Sequence, residues 1–364
     1  MKRMLGRTLL AAALALAWGA PPMAAPGADK GQGPLKDWPA RAAGQLQALI
    51  QRHAHQGEYA VFDMDNTSWQ YDLTEALLPY LENKKVLTRD NLDPALRLMP
   101  FKDTARHRES LYSYYLRLCA IDDLVCYPWI AQSFAGLDLK TLKKHVDEMM
   151  AGGKPVPVTY YDGDKLIRSH VNPPRPFGAM QALYQQLHEN GIAVYVMTAA
   201  NEELVRMVAS DPRYGYHVRP ENVIGASVLL KDRDSGQLDS TRLQLRRGAY
   251  DPAANLEKKQ LTAFLINPMT WFEGKYGSIV GWIDQWRKPV LVAGDTARSD
   301  GYMLLHATDV ARGGLRIWVD RKDKYTLEIA RWRKQADAEQ KALGLPATAS
   351  QNWITVKPRD LHKR

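Results

Sequence analysis

Three stretches of the chain are apolar without interruption, and each runs straight into a polar signature. Tyr59-Ala60-Val61-Phe62 leads into Asp63-Met64-Asp65-Asn66-Thr67, and Ala193-Val194-Tyr195-Val196-Met197 into Thr198-Ala199-Ala200-Asn201. Pro289-Val290-Leu291-Val292-Ala293 leads into Gly294-Asp295-Thr296. Unbroken apolar runs of this length belong to strands covered on both faces, as in a parallel sheet. A further strand is predicted over 315–319, and helical spacing of apolar positions over 39–55, 178–190, 202–210, 278–286 and 324–342. Strands alternating with helices in this way imply an α/β fold with a doubly wound parallel sheet and right-handed crossovers. In such a sheet the polar signatures meet in one crevice beyond the carboxyl ends of the strands.

Between the first and second strands the pattern changes. Helical spacing covers 73–83, 102–119 and 137–150, punctuated by Pro94, Pro100 and Pro128. A hairpin follows, 156–161 returning as 166–171 around Asp162-Gly163-Asp164. The chain is therefore divided into a core of 26–68 and 177–345, a mainly helical insert of 69–176 over the end of the first strand, and a C-terminal strand and tail, 346–364. A second, β-rich excursion is expected over 223–245, around the turn Asp234-Ser235-Gly236.

Composition is ordinary for a globular protein, with 45% apolar and 24% charged residues in 364. The first 25 residues stand apart. Lys2, Arg3 and Arg7 precede an apolar run from Leu9 to Trp18, which is too short to span a bilayer, and small residues follow. This is the pattern of a signal peptide, with an uncleaved anchor as the alternative. Export followed by cleavage implies a periplasmic or secreted protein without stable membrane insertion.

Three of the nine net positive charges lie in this leader. Basic clusters such as Arg331-Trp332-Arg333-Lys334 then read as solvated faces and not as a nucleic-acid surface, and the net charge favours a small anionic substrate. Cys119 and Cys126 are the only cysteines. In an oxidising compartment such a pair tends to be bridged. Seven residues of straight helix would hold their Cα atoms ~10.5 Å apart, so a bridge requires a turn through Ile121-Asp122-Asp123-Leu124. The alternative is two reduced cysteines on one helix.

The strand-end signatures carry chemistry. Asp63 and Asp295 on neighbouring strands make a seat for a hard cation with oxygen ligands, Mg²⁺ before other divalent ions. Thr198, between a strand and a helix N-terminus, suits phosphate. Lys275, in Gly274-Lys275-Tyr276, could set a positive charge against a transferring phosphoryl group. His53-Ala54-His55 has no metal-binding companions, and Gly152-Gly153-Lys154-Pro155 lacks the spacing of a P-loop. The absence of a Gly-x-Gly-x-x-Gly after a strand speaks against a dinucleotide enzyme.

Taken together these motifs resemble those of the haloacid dehalogenase-like phosphatase superfamily. Asp63-Met64-Asp65-Asn66-Thr67 is similar to its first motif, Thr198 to the second, Lys275 to the third, and Gly294-Asp295-Thr296-Ala297-Arg298-Ser299-Asp300 to the fourth. The resemblance implies two-step phosphoryl transfer, with Asp63 as nucleophile and Asp65 as general acid and base. It implies that Asp63, Asp65, Asp295 and Asp300 hold Mg²⁺, Asp65 through its carbonyl. Phosphate would be held by Thr67, Thr198, Ala199 and Lys275, and the insert would be a cap.

The segments Tyr71-Asp72-Leu73, Arg117-Leu118-Cys119, Cys126-Tyr127-Pro128-Trp129, Tyr160-Tyr161-Asp162-Gly163-Asp164 and Asp211-Pro212-Arg213-Tyr214-Gly215-Tyr216 narrow the resemblance to exported bacterial phosphorylcholine phosphatases. Thr198 stands where that family leads one to expect serine, and either hydroxyl can bind phosphate. A quaternary ammonium needs aromatic faces and carboxylates. The insert offers Trp69, Tyr112, Tyr114, Tyr115, Trp129, Tyr160 and Tyr161, but Tyr71, Glu75 and Glu109 are singled out because the first two lie on the span leading into it. The alternatives are a broader acid phosphatase acting on phosphoethanolamine or phosphoserine, and a choline-binding protein without turnover.

Overall fold

A computed structural model describes residues 33–266 and 269–362. The leader reading falls outside the described residues. Six strands form one sheet: β1 (Tyr59–Phe62), β2 (Ala193–Asn201), β3 (Val223–Ala226), β4 (Leu291–Gly294), β5 (Leu315–Val319) and β6 (Trp353–Val356). Their order is β6-β5-β4-β1-β2-β3, every neighbouring pair parallel. Alternate residues on each strand feed two separate cores. Ala60, Phe62, Val194, Val196, Leu291 and Ile317 enter one, and Tyr59, Val61, Met197, Val292 and Trp318 the other. Burial on both faces is the reason these strands read as continuous apolar runs. Successive connections move outward from β1 through β2 to β3, then return to β4 and continue the other way. The direction therefore reverses between β1 and β4.

The insert leaves the core at a short antiparallel pair, Trp69–Gln70 with Arg175–Pro176, so its two ends are stitched together. Within it the helices Leu73–Asn83, Leu111–Ile121, Asp123–Gln132 and Leu139–Gly152 pack beside the hairpin Val156–Asp162 and Lys165–Val171. The helix expected over 102–119 begins only at Leu111. Side chains take the amides before it: Glu109 Oε2 accepts from Lys102 N at 2.6 Å, and Asp103 Oδ1 from Glu109 N at 2.8 Å. These local bonds compete with helix formation. Ser110 then caps the helix by accepting from Ser113 N.

The second excursion is only partly separate from the main sheet. Val223–Ala226 is an edge strand of that sheet, whereas Val228–Asp232 is the central strand of a small antiparallel sheet, between Lys259–Leu265 and Leu238–Asp239. That sheet grips the insert, since Leu261 N donates to Leu137 O at 3.0 Å and Gly136 N to Leu261 O at 2.9 Å. The helical stretch expected over 278–286 is a helix, Glu273–Ser278, continued by one π turn to Ile283. Among the described residues no helix is long and apolar enough to cross a membrane.

Cys119 and Cys126 are bridged, with Cα atoms 4.9 Å apart. The required turn occurs at Asp122, whose extended backbone (φ −168°, ψ 149°) ends one helix while its side chain caps the next. By closing a short loop the bridge contributes about 2 kcal/mol. Replacing both cysteines by serine is expected to lower the free energy of unfolding by about that amount, read from urea titrations. An unchanged midpoint would show that the two helices hold the turn without it.

Candidate active site

The reversal between β1 and β4 puts two strand ends side by side. The register Phe62↔Ala293 makes Asp63 and Asp295 emerge together, and Asp63 N still donates to Ala293 O at 3.0 Å. Beyond Asp63 the chain curls tightly, with the amides of Thr67, Ser68 and Trp69 all reaching Met64 O and Asn66 in the left-handed region at φ 61°. Asparagine tolerates that region better than most residues. Asp300 joins the two strand-end acids because Gly294 lets it fold back, since a Cβ there would meet the Asp300 Cβ at 2.5 Å. Asp300 Oδ2 accepts from the amides of Asp295 (2.9 Å) and Thr296 (3.0 Å).

Lys275 reaches this acidic centre from a helix that begins at Glu273. Its Nζ is fully buried and donates at 2.7 Å to both Asp63 Oδ1 and Asp300 Oδ1. Only glycine fits before it, because a Cβ on Gly274 would lie 1.7 Å from Met269 O. Thr67 Oγ1 lies 3.1 Å from Asp63 Oδ2 and 3.3 Å from Asp295 Oδ1. Arg321, two residues beyond β5, donates through Nε to Asp295 Oδ2.

Three buried carboxylates, Asp63, Asp295 and Asp300, offer ligand atoms within 4.8 Å of one another. All-oxygen donors in such a cluster fit a hard divalent cation. The electrostatics point the same way. Burial, and then the charge of Asp300, push Asp63 up to about 8 despite Lys275. Burial also raises Asp295 to about 6 against the pull of Arg321. Burial disfavours a charged Lys275, but Asp300 and Asp63 outweigh it and hold its pKa above the ordinary value.

Asp65 is separated from this cluster. Its Oδ1 accepts from Trp69 Nε1 at 2.7 Å and Leu73 N at 2.8 Å. Burial and the neighbouring Asp72 nevertheless raise it well above the usual carboxylate range. Two acids at the same strand end thus differ in partners and surroundings, the condition under which paired carboxylates can take different protonation states.

A cavity of about 800 Å³ extends from these residues into the insert. Asp63, Asp65, Thr198, Ala199 and Asp295 line its floor, and Glu75 lines the insert side. Glu75 accepts from the Tyr115 hydroxyl at 3.1 Å, and burial followed by the charge of Asp72 raises it to about 7. Thr67, Lys275 and Asp300 stand behind the floor, bonded to the residues that line it.

Tyr71 and Glu109 do not line the cavity. Tyr71 N donates to Asn66 Oδ1, and Glu109 is buried in an ion pair with Arg117 at 2.7 Å. The cavity includes Asp72, Tyr115, Tyr127 and Arg321, to which the sequence reading gave no role beyond listing Tyr115 among the insert's aromatics. For Arg321 a signal existed: it follows a predicted strand, as the other site residues do.

No family model matches the chain. It is 58% identical over 327 residues to a phosphorylcholine phosphatase of Pseudomonas aeruginosa, covering 90% of this chain and 93% of that protein. Among solved structures it is similar to a functionally unknown protein from Anaerococcus prevotii, at 18% identity and a TM-score of 0.56, covering 90% and 97% of the two chains. That likeness concerns the α/β fold alone.

Lys275→Met would leave Asp63 and Asp300 buried without their shared counter-charge. We expect a loss of about 3–5 kcal/mol in a chelating buffer, with part of it recovered when Mg²⁺ is added. Urea titrations in the two buffers test this, and equal midpoints for variant and parent would refute the assigned role.

Proposed function

The chain belongs to the phosphorylcholine phosphatase family, and from that premise we propose that it hydrolyses phosphorylcholine to choline and phosphate, with Asp63 as nucleophile. The observation that carries this is the juxtaposition of the buried acid cluster around Asp63 with the acidic, aromatic wall of Glu75 and Tyr115 in one cavity. Asp63 attacks phosphorus, and the bond from phosphorus to the choline oxygen breaks. Asp65, whose hold on a proton is strengthened by burial and by Asp72, gives its proton to that oxygen. It then takes a proton from the water that hydrolyses the aspartyl phosphate.

Thr198 and the Ala199 amide, on the cavity floor, hold the phosphoryl oxygens and orient the group for in-line attack. Thr67 and Lys275, the other two residues assigned to phosphate, act from behind the floor through their bonds to Asp63. Mg²⁺, held by Asp63, Asp295, Asp300 and the Asp65 carbonyl, would offset the carboxylate charge and polarise the phosphoryl group. Residues 26–68 and 177–345 are assigned to the catalytic core and 69–176 to a cap that excludes water and selects the substrate. The leader pattern and the Cys119–Cys126 bridge support export to the periplasm.

On the cap side the trimethylammonium group has no N–H to donate, so charge and aromatic faces must recognise it. Glu75 supplies the charge and Tyr115 a face, with Tyr127 across the same cavity.

The test is phosphate release by the purified protein from a panel of monoesters, with and without Mg²⁺. Release should be fastest from phosphorylcholine and should require the ion. Equal rates on phosphoserine would replace the choline assignment by a broader phosphatase, and no release from any ester would leave a binding protein. Asp63→Asn should lower turnover on the order of 10⁴-fold while the protein stays folded, and retained turnover would remove Asp63 from the nucleophile's role.

Glu75 gives a pH signature. Protonated below about 7, it loses its charge, so KM for phosphorylcholine should fall as pH rises through that value. The KM of an aryl phosphate without a cation should not follow. Glu75→Gln should flatten the difference, and an unaltered KM profile would rule out Glu75 as the ammonium partner.

A further inference from the structure

Arg321 has a place in the site that the family motifs do not account for. Its side chain is one-fifth exposed and its partner Asp295 is 4% exposed, so the ion pair lies largely inside the protein. Only Nε is engaged, with Asp295 Oδ2. Among the described residues the two terminal amino groups, Nη1 and Nη2, meet no protein acceptor, although Arg321 lines the cavity together with Asp63 and Thr198. Four N–H donors of a planar fork are thus available to the space in which a phosphoryl group would sit. The guanidinium is steadied by the Tyr325 ring, 4.5 Å away. Its field also reaches Asp72 and Glu75 on the cap side.

Charge balance suggests what this arrangement does. Asp63, Asp295 and Asp300 face two cations, the buried Lys275 and the partly exposed Arg321, which formally leaves one negative charge. That deficit invites a divalent cation, after which the site is formally positive and suited to a phosphate dianion. Asp295 cannot give Oδ2 fully to both a cation and Arg321. When it is committed to the cation, the arginine loses part of its hold and its fork is free to turn to phosphate oxygens, which match it bidentately.

We propose that Arg321 is a phosphate-binding residue with two partners, held by Asp295 in the unloaded site and transferred to the phosphoryl oxygens of the substrate once Asp295 serves a divalent cation. This rests on the metal and phosphate sites proposed above. A purely structural ion pair would support both ligands or neither. A shared arginine opposes one and favours the other, so the two affinities should move in opposite directions when it is removed.

The experiment uses the full chain stripped with a chelator. Calorimetry measures Mg²⁺ binding without phosphate, and then inorganic phosphate binding at saturating Mg²⁺. Arg321→Met should bind Mg²⁺ about tenfold more tightly and phosphate about tenfold more weakly. Arg321→Lys keeps the charge on Asp295 but lacks the fork. Its Mg²⁺ affinity should stay within about twofold, with phosphate affinity again reduced about tenfold. Near-UV circular dichroism verifies folding, and Arg321→Lys decides alone if Arg321→Met does not fold. Affinities that stay unchanged, or that fall together in a folded variant, overturn the proposal. Binding of neither ion by the unaltered chain overturns it together with the metal and phosphate sites on which it rests.

Discussion

Like-charge repulsion among three carboxylates shut away from water is the constraint on which this site depends. Asp63 and Asp295 are side by side because β1 and β4 are neighbours in register, and Asp300 is folded onto them across Gly294. Three such charges cannot coexist in a dry interior without cations. The protein supplies Lys275 between two of them and Arg321 beside the third. The compensation is incomplete, and burial together with Asp300 still pushes Asp63 to about 8. The three carboxylates left in this imbalance are a group that could hold a divalent cation.

A second requirement is that something close over this centre and stay in register with it. The stem at Trp69–Gln70 and Arg175–Pro176 ties both ends of the insert to the end of β1. Further contacts fasten its far side. Asn201, directly after Thr198-Ala199-Ala200, donates to Ala131 O at 2.8 Å, and Arg298, between Asp295 and Asp300, pairs with Asp123 at 3.2 Å. The residues that line the cavity floor therefore share loops with those that fasten the insert. This is how Glu75 and Tyr115 come to lie over the floor formed by Asp63, with the cavity between them acidic and aromatic at one end. The Cys119–Cys126 bridge stiffens the same wall, since Cys119 borders the cavity.

The core was legible for a local reason. A strand buried on both faces must be apolar throughout, so β1, β2, β4 and β5 announce themselves, and the residues just beyond them mark the crevice of a parallel sheet. Asp63, Asp65, Thr198 and Asp295 could be placed on that basis, and Lys275 and Asp300 through a resemblance in spacing. The cap was less legible. Glu75 and Glu109 are both acids of stretches with helical spacing, yet one faces the cavity and the other, just before its helix begins, is buried against Arg117. Closeness in sequence to Asp63 favoured Glu75, but it favoured Tyr71 equally, and Tyr71 does not line the cavity.

The sequence by itself determined the alternation of elements, the strand ends and the residue types that suit phosphoryl transfer, and it allowed, without deciding, the turn that lets Cys119 meet Cys126. Each of these depends on neighbours within a few residues, where backbone period and side-chain chemistry act directly. Tertiary structure alone decided that Glu75 meets Tyr115 and that Arg321 meets Asp295. For Glu75 and Arg321 the partner lies 40 and 26 residues away in the chain. Such pairings depend on how strands and helices pack in space, and on the cost of leaving a buried charge alone, which no local pattern encodes.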